Sequence, residues 1–131
     1  MPARILIIED NPANLELARY LLTARGHEVL GAVDGQKGVA AALVEHPDLI
    51  ITDLQMPVLD GYGVLKQLRE EPSMNGVPII AVTAFSMPED KTRVMTAGFS
   101  GYMSKPIVPE KFGQEIELFL PPGLRKQGDD G

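Results

Sequence analysis

The chain contains no cysteine, which removes disulfides, thiolate metal sites, iron–sulfur clusters and thiol nucleophiles together and fits a reducing compartment. Basic charge is also scarce. Twelve Lys and Arg stand against eighteen Asp and Glu, a net charge of -6, the opposite of the footprint left by a phosphate-backbone binder. Direct contact with nucleic acid is therefore not expected. No hydrophobic run approaches the about 18 residues that a membrane helix needs. The opening offers Arg4 and then only Ile5-Leu6-Ile7-Ile8 before Glu9 and Asp10, too short for a signal-peptide core. A cytoplasmic protein with no membrane partner is the expectation. What remains is ordinary globular material: 131 residues, 44% hydrophobic and 23% charged, enough for one domain at roughly 100–200 residues each.

Short apolar runs rich in branched residues divide the chain: Ile5-Leu6-Ile7-Ile8, Leu49-Ile50-Ile51, Val77-Pro78-Ile79-Ile80-Ala81-Val82 and, more weakly, Gly101-Tyr102-Met103. Runs of this kind read as strands buried on both faces. A further, weaker strand fits near Glu28-Val29-Leu30. Between them apolar residues recur at helical spacing: Leu15, Ala18 and Leu22; Val39 and Leu43; Val64, Leu65 and Leu68; Phe112, Ile116 and Phe119. Asn11-Pro12 and Asp34-Gly35 open helices, Ser86-Met87-Pro88-Glu89 reads as a capping box, and Gly26 and Gly98 fall where helices should end. Five strands alternating with five helices predict an α/β fold, a doubly wound parallel sheet covered on both faces. Residues 1–120 should form that domain, leaving 121–131 as a short polar tail with no room for an output domain.

Open parallel sheets bind ligands beyond the carboxyl ends of their strands. Here Glu9-Asp10 follows the first run, Asp53 the third, Thr83 the fourth and Lys105 the fifth. Any one of these acids alone reads best as a cap or a solvated loop residue; their succession at strand ends does not. Two carboxylates ~4 Å apart repel by about 4 kcal/mol at an effective dielectric near 20. Lys105 offsets part of that, and a hard cation such as Mg²⁺, which favours one or two carboxylates with waters and phosphate oxygens, suits the rest. A phosphoryl group would account for Thr83 and Lys105 as well, because its oxygens need a hydroxyl donor and a cation. One of the carboxylates is then the expected phosphoryl acceptor.

Ile8-Glu9-Asp10-Asn11, Ile51-Thr52-Asp53-Leu54-Gln55-Met56-Pro57 with Asp60-Gly61, Val82-Thr83-Ala84 and Lys105-Pro106 resemble, block by block and in order, the receiver domain of two-component response regulators, from about Arg4 to Leu120. Val82-Thr83-Ala84-Phe85-Ser86-Met87 is most similar to the single-domain DivK-like regulators. The resemblance implies a flavodoxin-like, CheY-like sheet of strand order 2-1-3-4-5. It implies Asp53 as phosphoacceptor, taking its group from a phosphohistidine on a sensor histidine kinase or histidine phosphotransferase. Asp10, Asp53 and the Gln55 backbone carbonyl would ligate Mg²⁺ directly, and Glu9 would hold metal-bound water. Thr83 and Lys105 would bind the phosphoryl oxygens, with the Lys105-Pro106 bond cis. Thr83 and Tyr102 would form a switch that remodels the face of the fourth helix, fifth strand and fifth helix for a downstream protein target. Gln55 and Phe85 would flank the group and tune its lifetime. The implied protein is a signalling phosphoprotein in a phosphorelay, not an enzyme beyond slow self-dephosphorylation.

The remaining motifs have plainer readings. His27 and His46 are expected on the surface, Asp60-Gly61 as a cap and turn, and Ala13, Asn14, Leu17 and Ala18 as the surface that selects a kinase. A monomer is expected, with phosphorylation-linked dimerisation as the alternative state. Two competing functions are weaker. A scaffold with the same fold but no phosphoryl chemistry has no use for the full set Glu9, Asp10, Asp53, Thr83 and Lys105. A Mg²⁺ phosphatase or FMN protein would need a substrate cap or a glycine-rich phosphate loop after the first strand, and neither is present.

Overall fold

Strand and helix alternate along the chain as the apolar runs require. The computed structural model describes residues 3–84 and 87–121. Its elements are β1 (Arg4–Ile8), α1 (Pro12–Ala24), β2 (Glu28–Ala32), α2 (Gly35–Glu45), β3 (Leu49–Asp53), α3 (Gly61–Arg69), a 3-10 turn over Pro72–Met74, β4 (Ile79–Thr83), α4 (Pro88–Ala97), β5 (Gly101–Ser104) and α5 (Pro109–Glu117). All pairings are parallel and the order is β2-β1-β3-β4-β5, the expected doubly wound sheet.

The register explains why the strand signals differ in strength. β3 and β4 are buried at every residue, so both faces had to be apolar. β2 lies at one edge and is buried only at Ala32, which is why its sequence is weak. Alternate residues of the inner strands feed two cores. Ile5, Ile7, Leu49, Ile51, Ile80 and Val82 pack with Leu15, Ala18 and Leu22 of α1 and Phe112 and Ile116 of α5. Leu6, Ile8, Ile50, Ile79 and Ala81 pack with Val39 of α2, Val64, Leu65 and Leu68 of α3, and Val94 of α4. The sheet is thus a wall between α1 and α5 on one side and α2, α3 and α4 on the other. Ala18 belongs to the first core and is not part of any recognition surface; Leu17 and Ala13 beside it are exposed.

Caps form where short polar side chains precede helices. The side chains of Asn11, Asp34 and Asp60 accept from the backbone N–H groups of Asn14, Lys37 and Gly63 at 3.1, 2.8 and 2.8 Å. The start of α4 differs from the expected box. Its N-cap is Met87, and it is the Asp90 carboxylate, not Glu89, that accepts the Met87 N–H at 3.2 Å; Ser86 lies outside the described residues. Gly98 ends α4 with φ 111°, and Gly26, one residue past the cap of α1, has φ 93°. The apolar stripe of α5 stops short of Phe119. The helix ends at Glu117, and the Phe119 ring fills the space left by Gly101, where a Cβ would lie 2.5 Å from Cε1.

His27 is the main correction to the sequence reading. Its side chain is 1% exposed. Nδ1 accepts the backbone N–H of Ala3 at 3.1 Å, so Nε2 carries the proton it gives to Glu117, 2.7 Å away. Glu117 is itself buried and receives Arg25 bidentately, Nε and Nη2 both at 2.7 Å. Gly113 makes room for this, since a Cβ there would run into Arg25 Cδ and lie 2.8 Å from Nε. Three polar groups, from the cap of α1, the residue before β2 and the end of α5, thus satisfy each other at the end of the sheet opposite Asp53. His46, by contrast, is exposed as the left-handed cap of α2. Removing the shared acceptor takes away the partner of the buried His27 Nε2–H and breaks the bidentate pair with Arg25, so Glu117→Ala should cost about 3 kcal/mol in urea denaturation, and Glu117→Gln less because it keeps one acceptor oxygen.

Candidate functional site

Because every strand runs the same way, every carboxyl end reaches the same edge of the sheet. β1 sits between β2 and β3, where the chain's crossovers change direction, and a crevice opens there in sheets of this winding. Glu9 and Asp10 leave β1 directly above that point, Asp53 ends β3 beside it, Thr83 ends β4, and Lys105 follows β5. The structure therefore brings all five sequence-predicted polar residues to one edge.

The acids meet closely. Carboxylate oxygens of Glu9, Asp10 and Asp53 all lie within 4.8 Å of one another; Glu9 and Asp53 are buried and Asp10 is exposed. Lys105 bridges the two buried ones, its Nζ 2.8 Å from Glu9 Oε1 and 2.8 Å from Asp53 Oδ2. Their second oxygens are held by the backbone: Asn11 N–H donates to Glu9 Oε2 at 3.2 Å and Gln55 N–H to Asp53 Oδ1 at 3.3 Å. Backbone reach fixes Lys105 too, through its N–H on the Thr83 carbonyl at 2.8 Å and a cis bond to Pro106.

Charge in this crevice is unevenly held. Burial raises the Glu9 carboxyl above the usual range, the Lys105 and Asn11 hydrogen bonds pull it back in part, and the Asp53 charge pushes it up again. For Lys105 burial disfavours the ammonium, but the hydrogen bonds it donates to Asp53 and Glu9, together with their charges, outweigh it and hold the pKa above the ordinary lysine value. Three carboxylates against one ammonium leave the cluster negative. An all-oxygen, net-negative set open to solvent on the Asp10 side is the donor chemistry of a hard divalent cation.

Thr83 is almost wholly buried. Alternation along β4 and β5 places it on the same face as Ala81 and Tyr102, the face packed by α2, α3 and α4. Tyr102 pairs with the small Ala81 and is half-buried. Its ring packs against the core that faces α2, α3 and α4, and desolvation, followed by the Asp90 charge on α4, raises its phenol pKa. Gln55 is exposed, and the group it presents to Asp53 is its N–H; Phe85 lies outside the described residues.

Two features had no sequence reading. A cavity of about 290 Å³ opens between α1 and the segment after β5, lined by Asn14, Leu17, Ala84, Lys105, Pro106 and Ile107, so the Lys105 end of the acidic crevice borders an apolar groove. The loop after Asp53 holds Val58 at φ 73°, a conformation that a β-branched residue gives no hint of in sequence.

Comparison with known proteins agrees with this geometry. The family model of the response regulator receiver domain matches residues 5–117. The polar-differentiation response regulators DivK of Brucella anthropi and Brucella ovis are each 38% identical over 120 residues, 92% of this chain and 98% of theirs. Among solved structures, the chemotaxis response regulator CheY4 of Vibrio cholerae superposes with a TM-score of 0.87 at 29% identity, covering 92% of this chain and all of its own. The receiver domain of the sensor histidine kinase PA1611 of Pseudomonas aeruginosa, with magnesium coordinated in its active-site cleft, gives 0.82 at 31% identity over 91% of this chain and 98% of its own. The strand order, the clustered acids and the matching relatives make this chain a DivK-like, CheY-like member of the response regulator receiver domain family.

Proposed function

We propose that the chain is a phosphorelay switch in which Asp53 accepts a phosphoryl group from a phosphohistidine of a sensor histidine kinase or histidine phosphotransferase. The observation that carries this reading is the Lys105 ammonium set between Glu9 and Asp53, with Asp10 alongside. Asp53 supplies the nucleophile: a carboxylate oxygen forms the new O–P bond while the P–N bond to imidazole breaks, and the departing nitrogen keeps the electron pair and takes a proton from solvent. Lys105 already touches Asp53 and would turn one N–H to a phosphoryl oxygen; the Thr83 hydroxyl would bind another.

The donor set fits Mg²⁺. Asp10, Asp53 and the Gln55 backbone carbonyl would hold it, with Glu9 on its waters. When bound, the ion neutralises charge on the phosphoryl oxygens and the carboxylates together. Output would follow from packing. Thr83 moving toward the phosphoryl group frees space on the face it shares with Tyr102, and Tyr102 turning into that space alters the surface of α4, β5 and α5 offered to a downstream protein. The chain acts as a signalling protein that turns over its own acyl phosphate slowly at most. Residues 1–120 are the working unit, as a monomer with phosphorylation-linked pairing open to it. Acidic charge, the absence of cysteine and, among the described residues, no helix long and apolar enough to cross a membrane support a cytoplasmic setting without nucleic-acid contact.

Intact mass after incubation with acetyl phosphate and Mg²⁺ tests the reading. One added phosphoryl mass is expected, abolished by Asp53→Asn and by chelation; no addition to the parent chain would favour a scaffold without phosphoryl chemistry. Stability gives a second test. Lys105→Met leaves two buried carboxylates facing each other and should lower stability at neutral pH by about 2 kcal/mol. Because the folded lysine pKa is raised, its contribution is fully present below ~10.4 and fades as pH rises through the folded value. From neutral pH upward, where both carboxylates are ionised, parent and variant urea midpoints should therefore converge only in strong alkali.

A further inference from the structure

The loop that follows Asp53 is held in a strained shape by contacts that lie outside the acidic site. Leu59 N–H donates to the Pro57 carbonyl at 2.8 Å across Val58 at φ 73°, a γ-turn of the rare positive-φ form. Val58 is β-branched and 77% exposed, so its own side chain supplies little packing to stabilise the turn. Strain of this kind persists where the surroundings over-determine it. Here the surroundings act on Leu59.

Gly35, at the start of α2, lies against the Leu59 backbone: a Cβ there would stand 2.9 Å from the Leu59 carbonyl carbon and nearer still to its oxygen. Gly35 has no positive φ to explain it; space alone requires the glycine. Gly63 in α3 takes the other side, where a Cβ would lie 3.0 Å from Leu59 Cγ and run into Cδ1. Leu59 is thus wedged between two helices. The loop then closes on its origin, with Gly61 N–H on the Leu54 carbonyl at 2.9 Å and no room for a Cβ 2.5 Å from the Asp53 carbonyl oxygen. Gln55, whose N–H touches Asp53 Oδ1, rides on this closed loop.

We infer that Gly35 is a positioning residue for phosphoryl transfer: its contact with the Leu59 backbone fixes the path of the loop from Leu54 to Asp60, and through it the way the Gln55 peptide faces Asp53. The inference rests on the proposed role of Asp53. A methyl group at Gly35 pushes the Leu59 carbonyl away and turns the Gln55 peptide, although the atoms it would meet most closely belong to Leu59 and not to the acids or Lys105. Val58→Gly removes the side chain that makes the turn costly and lets the loop yield without dragging Gln55.

Full-length Gly35→Ala, Gly35→Ala/Val58→Gly and Gly113→Ala are compared with the parent by amide NMR, Mg²⁺ titration and acetyl phosphate labelling. Gly35→Ala should shift the Gln55 amide before any metal is added, and should weaken Mg²⁺ binding and slow labelling about tenfold, short of the roughly hundredfold that a 1 Å displacement can cost. The double variant should recover most of both. Gly113→Ala, which crowds Arg25 instead, should change neither. A Gly35→Ala chain with the parent's Gln55 amide and Mg²⁺ affinity overturns the inference, as does a double variant that recovers nothing. Should Gly35→Ala fail to fold, Leu59→Gly removes the Cβ that position 35 meets and frees the backbone at 59 without adding bulk; the same amide shift and weakened Mg²⁺ binding then support the brace, and parent-like values overturn it. If the parent itself takes no phosphoryl group, the function of Asp53 fails, while the amide and Mg²⁺ readouts still decide the role of Gly35.

Discussion

Mutual repulsion of Glu9, Asp10 and Asp53 is the constraint on which the rest of the structure depends. Three carboxylates with oxygens inside 4.8 Å stay together only because one ammonium and two backbone N–H groups are fixed against them, and fixing those groups takes the whole fold. Lys105 arrives on a strand three places along the sheet from β1, Asn11 on the turn into α1, and Gln55 on the loop after β3. Each is placed by an element whose position is set by apolar packing. Among the described residues the site is therefore a negative crevice with one internal cation, Lys105.

At the far end of the sheet Arg25, His27 and Glu117 add a polar tie to the apolar packing, where a bidentate ion pair and a buried imidazole join the cap of α1, the residue before β2 and the end of α5.

The opposite face is held more lightly. Val94 is the only buried residue of α4. The helix leans on α3 through Arg93, 5.3 Å over the Tyr62 ring, which meets Phe99 edge-on at 5.7 Å. An element with one buried anchor and exposed Met87 and Met95 has few buried apolar contacts to hold it. Tyr62 follows Gly61, the residue that closes the Asp53 loop, so α3 lies between the acidic site and α4.

Much of this was legible in the residues themselves. Periodicity separated strands from helices because β3 and β4 are buried on both faces and the helices on one, and caps at Asn11, Asp34 and Asp60 were legible because their hydrogen bonds are local. The acidic set could be read for a topological reason: parallel strands bring their ends together, so Glu9, Asp10, Asp53, Thr83 and Lys105 had to converge once the sheet was accepted. What only the tertiary structure decided are contacts between residues far apart in sequence. His27 looked like a surface loop residue because its partner Glu117 is 90 residues away. Val58 gave no sign of its positive φ, because the cause is the meeting of Leu59 with Gly35 and Gly63 on two other elements. Local chemistry determined the elements and the order in which they present their polar ends; burial and close approach, which no local pattern encodes, decided how those ends are held.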